Sequence, residues 1–464
     1  MTTTDITGTA ATLSIDDLRP SVLGRVIGPD DPDFDRARMV MPGGLGDDRP
    51  AVIVKVANAD DVVRVIELAR QTGLDLAVRS GGHSAAGYGV VEGGIVLDVS
   101  DLKSIDIDVD GRTVWAGSGL TAAELATALD EHGLGVGFGD TGSVGIAGIT
   151  LGGGVGYLGR KYGLTIDDLI AAEIVTADGA ILQVDADNEP DLFWAIRGGG
   201  GNFGVVTRFR YRVHEVGQIV GGLLILPATV DTVAGYIAAA EAAPEELSTI
   251  ANVMPCPPLP FIPAEHHGEV VIFGILACVG EPEAAERAIA PFRELATAVA
   301  DFVHPMRDPE IYPPEDPAYH PMAISRTMFI DHVDRPVAAL ILDQLAASDA
   351  KMRAAQLRVL GGAIARVPAD ATAYAHRSSK IMVNVAVFYE GPDDKPRREA
   401  WVTAFTRALH QGDDGAYVNF VGDEGDERVH AAYPGATWDR LASVKARYDP
   451  TNLFHRNQNI PPAS

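Results

Sequence analysis

Cysteine is nearly absent: Cys256 and Cys278 are the two thiols in 464 residues. Two thiols allow one disulfide at most and cannot make a disulfide framework. Small apolar filler is the ordinary reading of both. Positive charge is scarce too, with 37 Lys and Arg against 64 Asp and Glu, a formal net charge of −27. Such a surface repels nucleic acid and anionic membranes, so neither is expected as a partner. No apolar run reaches the length of a membrane span. The opening residues MTTTDITGTA carry neither the basic nor the apolar region of a secretory leader. A soluble, cytoplasmic protein is the expectation. His266 and His267 are adjacent rather than four apart and have no carboxylate–cysteine set nearby, so no metal is expected. Tandem repeats and low-complexity tracts are missing as well.

What is present starts with length, which at 464 residues suggests two or three domains. Apolar residues, 47% of the chain, are enough to fill their cores. Glycine totals 50, and 13 of these fall within residues 133–163, so they serve something local.

Up to about residue 217 strands alternate with helices. Residues 52–55 and 74–79 read as strands. Between them Val62, Val65, Ile66 and Ala69 recur at helical spacing and give a helix one buried face. Asp60 is placed to cap that helix and Gly73 to stop it. Residues 95–99 form a further strand. Ile105, Ile107 and Val109 alternate up to Asp110-Gly111, a hairpin signal, and 113–116 returns. Thr121 with Glu124 is a capping box. Beyond the glycine-rich stretch, 172–176 and 181–184 flank the turn Asp178-Gly179. Residues 191–196 read as a short helix and 205–213 as a strand. From 218 to 416 the composition shifts to alanine-rich helices near 231–243, 282–300 and 337–347, with strands near 269–277, 355–360 and 381–389. The proline-rich stretches 255–263 and 305–321 read as loops over a surface or a cavity mouth. Residues 417–464 differ again, so the division expected is 1–217, 218–416 and 417–464.

The pattern GxGxxG occurs at Gly154–Gly159 and Gly199–Gly204. A dinucleotide fingerprint needs strand, glycines and helix in that order. At Gly199 the order is reversed, and no clear strand precedes Gly154, so neither reads as a Rossmann site. Glycine instead lets a ligand approach the main chain, and successive N–H groups can form a nest around an anion. In an acidic protein a phosphate is best held by such donors. The loops 79–89 and 137–156 could wrap a pyrophosphate from two sides; tight turns between strands are the plainer alternative. His83 tips the balance, because the small residues around it leave its imidazole open to a bulky planar ligand.

Four motifs occur in order. They are Arg79-Ser80-Gly81-Gly82-His83-Ser84; Gly152-Gly153-Gly154-Val155-Gly156-Tyr157 with Arg160-Lys161-Tyr162-Gly163-Leu164; Asp191-Leu192-Phe193-Trp194-Ala195-Ile196-Arg197-Gly198-Gly199-Gly200; and Asn457-Gln458-Asn459. Together they resemble the berberine bridge enzyme-like oxidases of the vanillyl-alcohol oxidase/p-cresol methylhydroxylase flavoprotein superfamily. The resemblance is strong over about 45–215 and 417–464 and weak between.

It implies an α+β fold: a two-lobed FAD-binding domain of the p-cresol methylhydroxylase type, and a substrate domain whose antiparallel sheet, flanked by helices, roofs the flavin. It implies FAD as cofactor, bonded by His83 at the 8α-methyl carbon. A neutral imidazole is the nucleophile such a bond needs, and histidine is neutral often enough near pH 7. Tyr88, Gly142, Gly145, Gly148 and Ile174 are further flavin contacts that it implies. The family's second anchor, a cysteine, falls on Thr141, so one covalent bond is expected. Val144 takes the oxygen-gate position, where a small valine goes with oxygen access; ordinary core packing is the alternative.

Tyr417-Val418-Asn419 is similar to the family's Tyr-x-Asn strand, whose tyrosine often serves as base. On a strand Tyr417 and Asn419 face one way. A phenol of pKa about 10 is a poor base at pH 7 unless its anion is stabilised, so a structural tyrosine is the competing reading. The substrate candidates are Asn384, which interrupts an apolar strand, and Gln356 with Arg358, which share a strand face. Arg358 could meet an acidic substrate or simply pair with a surface Asp. The family tyrosine after the triple glycine is Val155 here, which leaves Tyr157 as the nearby phenol. The activity implied is hydride transfer from a small alcohol, amine or polyketide-like phenolic to flavin N5, with O2 as acceptor. A dehydrogenase or monooxygenase using another acceptor, and a flavin-loaded binding protein without catalysis, are the alternatives. Oligomeric state stays open.

Overall fold

A computed structural model describes residues 13–44, 47–316 and 318–464. The first ten residues, read above for a leader, lie outside them. Among the described residues no helix is long and apolar enough to cross a membrane, and no cluster of His, Cys, Asp or Glu could hold a metal ion. Cys256 and Cys278 are free and buried.

The chain is mixed α and β with three principal sheets. In the first, Val52–Lys55 and Leu76–Arg79 each pair in parallel with Ile95–Asp98, and Arg25–Ile27 adds antiparallel at one edge. The helix Ala59–Thr72 buries Val62, Val65, Ile66 and Ala69 against it. Asn58, not Asp60, caps this helix, accepting from the Asp61 N–H at 2.9 Å. Asp61 is drawn inward instead, where its carboxylate accepts from the N–H groups of Leu23, Gly24 and Ala57.

The second sheet is antiparallel, in the order Ile105–Asp108, Thr113–Gly117, Val205–Arg212, Leu169–Val175, Ile181–Asp185. The capping box is present, with both Thr121–Glu124 bonds formed at the start of Ala122–Asp130.

The third sheet is built from residues 218–388 and is wholly antiparallel. Its central run is Gln218–Pro227, Val270–Val279, Leu247–Pro255, Arg353–Val359, Ile381–Phe388 and Ala323–Ile330. Val383, Val385 and Val387 alternate into a core shared with the helices Val230–Ala242, Pro282–Arg293, Arg335–Ala346 and Lys395–Leu409. The opposite face therefore carries Met382 and Asn384. Three strands of this sheet, Gln218–Pro227, Leu247–Pro255 and Ala323–Ile330, and the helix Lys395–Leu409 escape the sequence patterns. The helix expected over 282–300 stops at Arg293, and the chain reaches an edge strand at Ala300–Asp301.

From Ala416 onward the chain rejoins the core of the second sheet through Val418, Val421, Tyr433, Leu441 and Ile460. The strand expected at 417–419 is not formed: Val418–Phe420 is a turn of 3-10 helix, with Tyr417 extended just before it.

Candidate active site

The strand Leu76–Arg79 delivers the loop that holds His83. Arg79 is buried at the strand end, its guanidinium 2.7 Å from Asp98 and 2.6 Å from the Ala37 carbonyl. It fixes the loop as well as lining the site. Ser80 Oγ donates to the Ser118 carbonyl at 2.8 Å. The two glycine loops interlock: a Cβ on Gly81 would sit 2.3 Å from Gly145 N, and one on Gly145 would sit 2.3 Å from Ser80 Oγ. That close approach brings Ser143 to His83, with Oγ 2.9 Å from Nε2. Burial holds the His83 imidazole below its usual pKa, and the nearby Glu315 carboxylate opposes this. A neutral, nucleophilic ring is the result.

His83 lines a cavity of about 410 Å³ between the lobes. Its walls include Ser80, Gly81, Gly82, Ser84, Tyr88, Thr141, Val144, Gly145, Gly148, Tyr417, Asn419 and Asn457. The expected contacts Gly142, Gly152, Gly153, Gly156, Tyr157, Ile174 and Asn459 stand behind these walls. Gly142 packs on Ala123 and Tyr312, and Gly156 on the Phe138 carbonyl. Ile174 is fully buried under Gly204. Tyr157 is buried as well, its hydroxyl donating to the Asp140 carbonyl at 3.2 Å, so it does not replace the missing phenol at the wall. Thr141 Oγ1 bonds Asp140 at 3.3 Å.

Tyr417 enters from the C-terminal segment and is fully buried. Its hydroxyl oxygen accepts from Gly154 N–H at 2.9 Å, Val155 N–H at 3.3 Å and Asn419 Nδ2 at 2.9 Å. Gly153 and Gly154, at φ +138° and +84°, supply the backbone turn that aims the first two donors. Gly152 is needed too, because a Cβ there would lie 2.0 Å from Asn419 Oδ1. Tyr417 and Asn419 thus converge as expected, though through a 3-10 turn rather than a strand. Burial pushes the Tyr417 phenol up, while the three donors and the charge of Arg358 pull it down.

Gln356, Arg358 and Asn384 lie on the sheet beyond this wall. Arg358 is neither on the surface nor open to an anion. It is 4% exposed, it pairs with Asp140, and its Nη2 donates to Gln356 Oε1 at 2.8 Å. It also donates to the Val155 carbonyl and stacks on Phe420. Gln356 donates to Asn252 Oδ1 at 2.9 Å. Register places Asn252 opposite Gln356, Gln356 opposite Asn384, and Asn384 opposite Thr327, one polar row across four strands. Asn384 Oδ1 and Thr327 Oγ1 are buried without a partner. Ser325, two residues from Thr327, lines the cavity.

Several site residues carry no sequence signal. Ser143, Glu315, Asp140 and Ser325 become visible only when distant segments meet. Arg456, over the Tyr88 ring at 5.7 Å, adds a cation to the cavity beside Asn457. Asn202 binds the Gln458 carbonyl and the Ile460 N–H, seating the terminal Asn-Gln-Asn. The protein fits an FAD. Asn457 Oδ1, on a residue of the cavity wall, is buried without a partner. A Cβ on Gly148 would meet nothing within 4 Å, so that wall has open space for a ligand. Among the described residues, the N–H groups of Gly81, Gly82 and His83 meet no backbone acceptor.

Comparison with known proteins agrees. Residues 50–185 match the family model described as an FAD binding domain, and residues 416–461 the one described as berberine and berberine like. (R)-6-hydroxynicotine oxidase of Paenarthrobacter nicotinovorans is 30% identical over 457 residues, covering 95% of this chain and 97% of that protein. An FAD-linked oxidoreductase of Dictyostelium discoideum is 30% identical, with 89% of each chain covered. The crystal structure of 6-hydroxy-D-nicotine oxidase from Arthrobacter nicotinovorans superposes with a TM-score of 0.84 at 28% identity, over 96% of this chain and 99% of that one. The chain belongs to the berberine bridge enzyme-like FAD-linked oxidoreductases of the vanillyl-alcohol oxidase/p-cresol methylhydroxylase superfamily. It is an FAD-linked oxidoreductase.

Proposed function

We propose that this oxidoreductase is an oxidase that holds its flavin covalently through His83 and passes electrons from a small uncharged alcohol or phenolic to O2. The supporting observation is that His83 and Tyr417, contributed by segments more than 300 residues apart, line one cavity. Bound FAD supplies the two-electron acceptor. The chain's own residues orient and deprotonate the substrate. A neutral phenol oxygen has two lone pairs, whereas three N–H donors point at Tyr417 Oη, an arrangement that suits the phenolate. Tyr417 then takes the proton of the substrate hydroxyl, and Asn419 holds the phenol in place through a second bond to the Ile149 carbonyl. Asp140 answers the charge of Arg358, so the roof presents amides and hydroxyls rather than a free cation, which favours a neutral substrate over a carboxylate. Val144 lines the cavity, and a small side chain at that position suits access by O2.

The test is acid denaturation followed by peptide mass analysis. Flavin should stay on the peptide containing His83, and His83→Ala should release it. Free flavin from the unaltered protein would refute the link. Reoxidation of the photoreduced protein by air no faster than that of free flavin would refute the oxidase.

A further inference from the structure

His83 stands between two openings. One is the cavity with Tyr417; the other is a wider cleft lined by Ser143, Glu315, Tyr319 and His320. Ser143 and Glu315 line only the second. Ser143 Oγ is 2.9 Å from His83 Nε2 and donates to Glu315, whose other oxygen accepts the Ser143 N–H at 3.0 Å. The segment bringing Glu315 is tied at both ends. Tyr312 packs on Tyr157, and beyond Glu315 the Pro321 carbonyl accepts from the Gly43 N–H at 2.9 Å.

Hydrogen counting fixes the tautomer. Ser143 has one hydroxyl hydrogen, and a carboxylate can only accept. The hydrogen therefore points to Glu315, and Ser143 Oγ accepts from Nε2–H. A neutral imidazole with its hydrogen on Nε2 has its free lone pair on Nδ1. The Glu315 charge also favours a ring that can carry a proton briefly.

We infer that Ser143 and Glu315 are positioning residues for flavin attachment: they direct the bond to Nδ1 of His83 and take up the Nε2 proton as it forms. This rests on the covalent reading above. Nδ1 bonds the 8α carbon, one C–H bond and the Nε2–H bond break, and two electrons and two protons pass to O2, which leaves as H2O2. Without the relay the alkylated ring would keep its charge in a partly buried site. With it the proton moves through Ser143 to Glu315.

The experiment uses full-length protein purified from a flavin-starved host and mixed with FAD in air. Acid-stable flavin is followed with time, FAD binding is measured separately, and the linked nitrogen is read by NMR on 15N-histidine-labelled peptide. The expected bond is to Nδ1. Ser143→Ala and Glu315→Gln should still bind FAD but link it roughly 100-fold more slowly, and Ser143→Thr, which keeps the hydroxyl, should restore the rate. A bond to Nε2, or Ser143→Ala and Glu315→Gln linking at the normal rate, overturns the relay and leaves the covalent reading standing. Flavin released intact by acid from the unaltered protein overturns both. Since the nitrogen assignment needs no variant, a misfolded mutant would not rescue the inference.

Discussion

At the scale of single residues, Tyr417 shows how an unfavourable setting is turned to use. Burial alone would keep its proton on. Two backbone N–H groups and the Asn419 amide oppose that in part by bonding the anion more strongly than the neutral phenol, although burial still leaves the pKa above its ordinary value. Tyr417→Phe keeps the ring and its edge contacts with Tyr374 and Phe420 but removes the oxygen. The expected outcome is a kcat lower by about 10²–10⁴-fold with flavin content unchanged, measured by steady-state oxygen uptake. Unchanged turnover would leave Tyr417 a packing residue. The sequence could suggest this tyrosine by its spacing to Asn419. It could not show the donors, because Gly154 and Val155 lie more than 260 positions away.

At the scale of elements, the loops 79–89 and 137–156 were readable because glycine clustering records backbone close approach, and Gly81 and Gly145 do interlock. The middle sheet was less readable. Its strands Leu247–Pro255 and Ala323–Ile330 mix Ser, Thr, Asn and Arg with apolar residues. Thr249 and Arg326 alternate onto the core side while Ser248, Asn252, Ser325 and Thr327 face the cavity side, so the alternation that marks a half-exposed strand is blurred. Met382 and Asn384 share that face while Val383 and Val385 fill the core, which is why one polar residue stands inside an apolar run. Asn384 makes no bond through Oδ1, so Asn384→Leu should fold normally. If the row across Asn252, Gln356, Asn384 and Thr327 holds substrate, this change raises KM by up to about 10-fold, one hydrogen bond's worth. Anaerobic flavin-reduction kinetics against substrate concentration would read it, and an unchanged KM would remove Asn384 from the substrate wall.

At the scale of the whole molecule, segments far apart in sequence are held together by buried charge. Lys445 is fully buried and bonded to Asp449 and to the carbonyls of Asn202 and Phe454. It ties the last helix to the 198–204 loop and so sets Asn457 at the cavity. Lys445→Met leaves Asp449 buried without its cation, which should cost about 3–5 kcal/mol and weaken FAD retention, read together by denaturant unfolding and flavin release. The junction with the middle segment carries a different device. Asp308 is buried beside Gly135, and burial, with some help from the Asp130 charge, raises its pKa to about 7. The unfolded chain would hold that carboxyl near its ordinary value of about 3.9. Between about pH 4 and 7 the folded protein therefore binds the extra proton. Stability contributed by this group is full below the unfolded value and falls as pH rises towards 7, levelling above it. Asp308→Asn cannot ionise, so its unfolding free energy should lose that downward slope. The slope is the quantity to compare, since the amide must still be buried. Parallel slopes for the two proteins across pH 4–7 would show that Asp308 is ionised in the folded state throughout.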